Sequence, residues 1–103
     1  MAVVVVATIR PLPEHRGEVI AALEKAIAAV HAGDEGCLLY ALHEADDRLV
    51  FVEKWTSQEA LDAHSRGPAL AELGQALAGK TVGPSDLQVL RPRPAGTPSQ
   101  GAL

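Results

Sequence analysis

The chain has a single cysteine, three aromatic residues and no asparagine among its 103 residues. The lone thiol, Cys37, excludes an internal disulfide and suits a reducing cytoplasm better than an oxidising compartment. Basic residues are also sparse: nine Lys and Arg face thirteen Asp and Glu, a net charge of −4. Only Tyr40, Phe51 and Trp55 could stack on a base. Nucleic-acid binding needs a cationic stripe and stacking rings, so it is not expected. No apolar run approaches the roughly 20 residues that cross a bilayer. The opening stretch, MAVVVVATIR, lacks a leading basic region and is too short for a secretory signal. A cytoplasmic location is the expectation. The four histidines, His15, His31, His43 and His64, include no pair at i,i+4 spacing, and no C-x-x-C or H-E-x-x-H pattern occurs. Metal binding therefore has no motif to support it. Gly-rich phosphate loops are missing as well, and no cofactor is expected. A small neutral or apolar ligand, or a protein partner, is what the composition favours.

What is present is strong periodicity. Val3 to Ile9 is β-branched and nearly continuously apolar, which predicts a strand buried on both faces. Pro11 and Pro13 end it, and Pro13 suits the first turn of a helix, with Glu14 and Glu18 near its positive end. Val19, Ile20, Leu23, Ala26, Ile27 and Val30 recur at helical spacing, and Gly33 is a natural stop. Cys37 to Glu44 and Leu49 to Trp55 predict two strands joined by the polar turn Ala45 to Arg48, hence a hairpin. Alternation puts Tyr40 with Leu38 and Leu42, opposite Cys37 and Leu39. Thr56 to Glu59 has capping-box spacing, with Thr56 as cap. The following helix carries Leu61 and His64, breaks at Gly67-Pro68, and resumes with Leu70, Leu73 and Leu77. A last strand falls within Thr81 to Leu90, best formed from Leu87 to Arg91. Residues 92–103 are rich in Pro, Gly and Ser and predict a disordered or extended tail.

The order β-α-β-β-α-β over residues 1–91 predicts an α+β domain of ferredoxin-like type, a four-stranded antiparallel sheet with helices on one face. The other face of such a sheet usually meets water and alternates in polarity. Here it does not: the first strand is apolar throughout, and the second carries Leu38, Leu39, Ala41 and Leu42 on its two sides. At about 25 cal/mol per Å², covering several hundred Å² of this surface is worth many kcal/mol before association costs. A homodimer through the sheet face is the expected solution.

The residues Gly36 and Tyr40, then Glu53 and Trp55, then Ala60, Leu61 and His64 match a pattern G-hydrophobic-x-x-Y, E-x-W, A-L-x-x-H. On these positions the chain resembles the antibiotic biosynthesis monooxygenase domain, over roughly residues 2–91. The resemblance implies a dimeric α+β barrel. It implies function less narrowly, because the family includes cofactor-independent oxygenases of phenols and quinols, haem-degrading enzymes and a sugar-phosphate isomerase. In the haem-degrading relatives a ligand histidine follows the His64 position by about three turns; Leu73-Gly74-Gln75 stands there in this chain. Those relatives, and some of the oxygenases, use an asparagine that this chain lacks.

Within that frame His64 is the candidate catalytic base, on the apolar side of its helix about one turn after Leu61. A cofactor-free oxygenase needs a base near neutral pH, because a deprotonated phenol is electron-rich enough to reduce dioxygen directly. The alternative is a structural histidine held by a carbonyl or carboxylate. Glu53 and Trp55 share one strand face; Glu53 could orient His64 and Trp55 could wall a substrate pocket, or they could be an ion-pair partner and core filler. Tyr40 could donate to a substrate oxygen or simply pack, at a dimer interface among other places. His43 reads as a solvated residue, and His31 is explained by the dipole at its helix end. Two other functions stay open: a non-catalytic ligand-binding or assembly module on the same dimer, and an isomerase of a small sugar-like substrate. The isomerase would need polar groups in the pocket, and Lys54 and Arg66 are the only cations nearby.

Overall fold

The computed structural model describes residues 1–103. Its elements are β1 (Val3–Ile9), α1 (Arg16–Gly33), β2 (Cys37–Glu44), β3 (Leu49–Trp55), α2 (Gln58–Arg66), α3 (Pro68–Leu77) and β4 (Asp86–Leu90). The four strands form one sheet in the order β2-β3-β1-β4. Every pairing is antiparallel. This is the ferredoxin-like α+β fold, with its second helical region split in two.

The split has a local cause. Gly67 is extended (φ −76°, ψ 167°), and Pro68 starts the next helix without needing a backbone donor. Pro13 opens the first turn as expected, but that turn is a single 3₁₀ turn, Pro13–His15, and α1 begins at Arg16. The last residue of α1 is Gly33, and Asp34 closes it by donating its N–H to the Val30 carbonyl at 3.0 Å.

Val19, Leu23, Ala26 and Val30 on α1, with Leu61 and Leu73, are buried over one face of the sheet. That face presents Val3, Val5, Ala7 and Ile9 from β1 and Leu49, Phe51, Glu53 and Trp55 from β3, all buried. The prediction that β1 is buried on both faces holds for only one of them within a single chain. Val4, Val6 and Thr8 on the other face are half-buried, because no helix lies there.

Three local expectations need correction. Cys37 and Tyr40 do not lie on opposite faces. The register of β2 shifts between Cys37 and Leu39, so Cys37 pairs with Trp55 and Tyr40 with Glu53, all on the helix side. The extra residue, Leu38, is pushed out and left 56% exposed. Ser57, not Thr56, caps α2: its hydroxyl accepts the Ala60 N–H at 3.1 Å. Thr56 is still tied to the sheet, donating its N–H to the Gly36 carbonyl at 2.9 Å. The last strand covers Asp86–Leu90 only, while Thr81 forms an isolated bridge to Pro11.

Residues 92–103 form no helix or strand. Gly101 donates to the Thr97 carbonyl at 2.8 Å, and Lys54 Nζ reaches the Leu103 carbonyl at 2.6 Å. No helix is long and apolar enough to cross a membrane.

Candidate active site

The helix side of the sheet is not packed solid. Between it and the pair α2 and α3 lies a cavity of about 240 Å³. Hydrophobic residues make up 11 of its 14 lining residues. Leu61, Leu70, Leu73 and Leu77 form its roof, and Val5, Ala7, Ile9 and Phe51 belong to its floor. Helices do not cover β4, so Leu87 and Val89 line the cavity while staying 61% and 53% exposed. The cavity therefore opens beside β4. The other three lining residues are Glu53, His64 and, near the β4 end, Ser85, and Tyr40 among the eleven adds a hydroxyl.

His64 sits in the last turn of α2, three residues after Leu61, and is only 6% exposed. Its Nδ1 is 2.6 Å from Asp34 Oδ2. Its Nε2 has no hydrogen-bond partner in the protein, and no buried side-chain nitrogen or oxygen is left unpaired. Nε2 is thus not fully buried, and His64 is one of the residues lining the cavity. Trp55 packs against the imidazole with ring centroids 4.3 Å apart, and Tyr40 meets it edge-on at 5.3 Å. These aromatic contacts fix the ring plane as the carboxylate fixes one edge.

Trp55 is fully buried and is not among the cavity's lining residues. It backs His64 instead of walling the cavity, because it lies two positions beyond Glu53, toward the end of β3. Its indole Nε1 donates to Glu53 Oε1 at 2.9 Å. The proposed contact of Glu53 with His64 is therefore replaced: Glu53 holds Trp55, and Asp34 holds His64. Burial raises the Glu53 carboxyl above its usual value, against the Trp55 hydrogen bond and the His64 charge, which lower it. Tyr40 stacks on Phe51 at 4.3 Å, and its carbonyl lies 3.1 Å from His31 Nε2. Burial, then the charges of Glu53 and Asp34, push its phenol well above the ordinary tyrosine range.

His43 is exposed, as expected, and His31 is exposed beside Tyr40. No cluster of three or more His, Cys, Asp or Glu side chains could hold a metal ion. Asp34 is the site residue that pattern reading missed. Its one visible signal is electrostatic: a carboxylate at the negative end of an 18-residue helix is unfavourable unless something partners it.

The fold and site define a class: a ferredoxin-like α+β domain with an apolar cavity under its second helical region and one oriented histidine facing in. The pattern of the antibiotic biosynthesis monooxygenase family matches residues 2–75, and the chain belongs to that family. It is similar to Rv0793 of Mycobacterium tuberculosis, at 28% identity, with 94% of this chain and 100% of that one aligned and a TM-score of 0.85. It is also similar to a Caulobacter crescentus protein provisionally described as an antibiotic biosynthesis monooxygenase, at 25% identity over 86% and 87% of the two chains, with a TM-score of 0.81. A conserved protein from Methanosarcina mazei shares the fold at 23% identity over 88% and 92%, with a TM-score of 0.80. Among curated proteins none matches it.

Proposed function

We propose that this protein is a cofactor-independent monooxygenase that oxidises a small aromatic or quinol-type substrate with dioxygen, using His64 as base. The observation that carries this reading is the His64 ring, held at Nδ1 by Asp34 and lining a mostly apolar cavity with no protein partner on Nε2. Family membership supports the monooxygenase class.

In the proposed reaction the ring of the substrate occupies the cavity and its hydroxyl lies against Nε2. His64 takes the proton. The anion passes one electron to dioxygen, and the resulting pair recombines as a C–O bond at a carbon that still carries hydrogen. Protonation gives a hydroperoxide, and loss of water leaves a carbonyl, so one oxygen atom enters the product and the other leaves as water. The Tyr40 hydroxyl donates to the substrate oxygen as its charge develops, and apolar walls keep that hydrogen bond strong. Glu53, whose carboxyl burial raises above its usual value, borders the same cavity.

The sugar-isomerase alternative lacks support from the lining: neither Lys54 nor Arg66 borders the cavity. The working unit in this proposal is a homodimer. Val4, Val6, Leu39, Ala41, Val50 and Val52 face away from the helices, and a second copy would cover them.

Oxygen uptake with hydroquinones and anthrones tests the reading. A base of this kind contributes roughly 10²–10⁴-fold, so His64→Ala should lose uptake by that factor. Equal rates in the two proteins would remove His64 from the mechanism.

A further inference from the structure

We infer that Asp34 is the positioning residue of the site: its carboxylate selects the His64 tautomer with hydrogen on Nδ1 and leaves the Nε2 lone pair facing the cavity. This rests on the proposed role of His64 as base and adds the group that makes that role possible.

A neutral imidazole carries one hydrogen and can place it on either nitrogen. With hydrogen on Nε2, the cavity would meet a donor, and no proton could be accepted there. A carboxylate can only accept, so Asp34 at 2.6 Å from Nδ1 requires the hydrogen at Nδ1. Both groups are shielded: the His64 side chain is 5% exposed and that of Asp34 is 17% exposed. His64 is the only ion-pair partner that Asp34 has. The other ionisable groups around the ring cannot take over the task. Glu53 is engaged with the Trp55 indole, and Tyr40 approaches with its ring edge. When Nε2 captures a proton, the Asp34 carboxylate stabilises the imidazolium that forms.

The backbone makes this contact reproducible. Asp34 leaves α1 in an extended conformation (φ −89°, ψ 105°), and the chain then turns at Gly36 with φ +82°. The Gly36 carbonyl accepts from Thr56 N–H at 2.9 Å, which pins the loop to the approach of α2. The carboxylate is therefore held by one end of the same loop whose other end touches the helix bearing His64. The two residues stand 30 positions apart in sequence.

The test needs no substrate. Long-range ¹H–¹⁵N correlation spectra of the uniformly labelled full chain distinguish the two tautomers of each neutral histidine, and His64→Gln assigns the His64 signals. The wild type should show hydrogen on Nδ1 and an unprotonated Nε2. Asp34→Asn, whose amide can donate to Nδ1, should shift the population toward hydrogen on Nε2, and Asp34→Ala should give a mixture. Hydrogen on Nε2 in the wild type, or an unchanged tautomer in both variants, would overturn the inference. With a substrate that the protein oxidises, Asp34→Asn should lower kcat by roughly 10²-fold or more with little change in KM. Absence of oxygenase activity with every substrate would count against the proposed reaction while the tautomer result stood.

Discussion

Trp55 Nε1 donates to Glu53 Oε1 at 2.9 Å, two residues back along the same strand, with both side chains buried. The strand's own periodicity brings them together, since residues i and i+2 share a face. The bond leaves the indole satisfied and its ring free to support His64.

The first prediction concerns Glu53. Burial raises its carboxyl above the usual 4.5, so the folded chain holds that proton more tightly than the unfolded chain. Stability from this group is therefore complete below the unfolded value and declines as pH rises through the folded one. Glu53→Gln keeps an acceptor for the indole and removes the titration. Urea melts from pH 4 to 8 should show the wild type losing stability relative to Glu53→Gln as pH rises. A constant difference would refute the assignment. Glu53→Leu, which strands the indole donor, should cost about 1–3 kcal/mol.

Tyr40 is the only tyrosine, so phenolate absorbance near 295 nm reports it alone. Its raised value means the native chain keeps the phenolic proton where the unfolded chain, near pH 10, gives it up. Absorbance should stay flat through that range and rise only with unfolding. The same shift removes stability as pH increases above about 10. A reversible midpoint near 10 in the native protein would contradict the buried placement.

Gly36 is irreplaceable for two reasons that act together. Its φ is +82°, and a Cβ there would stand 2.6 Å from Thr56 Oγ1 and 2.7 Å from Ala60 Cβ. Gly36→Ala combines backbone strain with overpacking and should cost at least about 2 kcal/mol. It should also disturb the His64 signals, because it moves the loop that carries Asp34. Wild-type stability in thermal and urea melts would show that the loop is not pinned.

The outer sheet face carries the dimer proposal. Val6 and Val52 are paired neighbours on that face. Light scattering at micromolar concentration should give twice the 10.8 kDa of one chain. Val52→Lys would place a charge in the centre of the interface, at a cost of several kcal/mol, and should yield monomers. A wild-type monomer would overturn the argument from the two-faced apolar sheet.

Periodicity made the fold legible. The valine-rich β1, the helical stripe from Val19 to Val30 and the hairpin around Ala45 to Arg48 all appear where their patterns put them. The bulge at Leu38 was not legible, since an extra residue in a run of apolar residues leaves no local mark. It also decided the site, because it turns Cys37 and Tyr40 to the same side. Spacing put His64 on the apolar side of its helix and Glu53 on one strand face with Trp55, without fixing that this face looks toward the helices. Which carboxylate reaches the imidazole could not be read that way. Strand alternation suggested Glu53, but Glu53 accepts from the indole two residues away. Asp34 arrives through a loop closure 30 residues distant, to which periodicity is blind.

The most direct test of the central claim is oxidation of an anthrone under ¹⁸O₂, with product mass measured for the wild type and for His64→Gln. The account predicts one ¹⁸O atom in the wild-type product, with formation slowed by roughly 10²-fold or more in the variant. Label-free product, or equal rates of labelled product from both proteins, would contradict it.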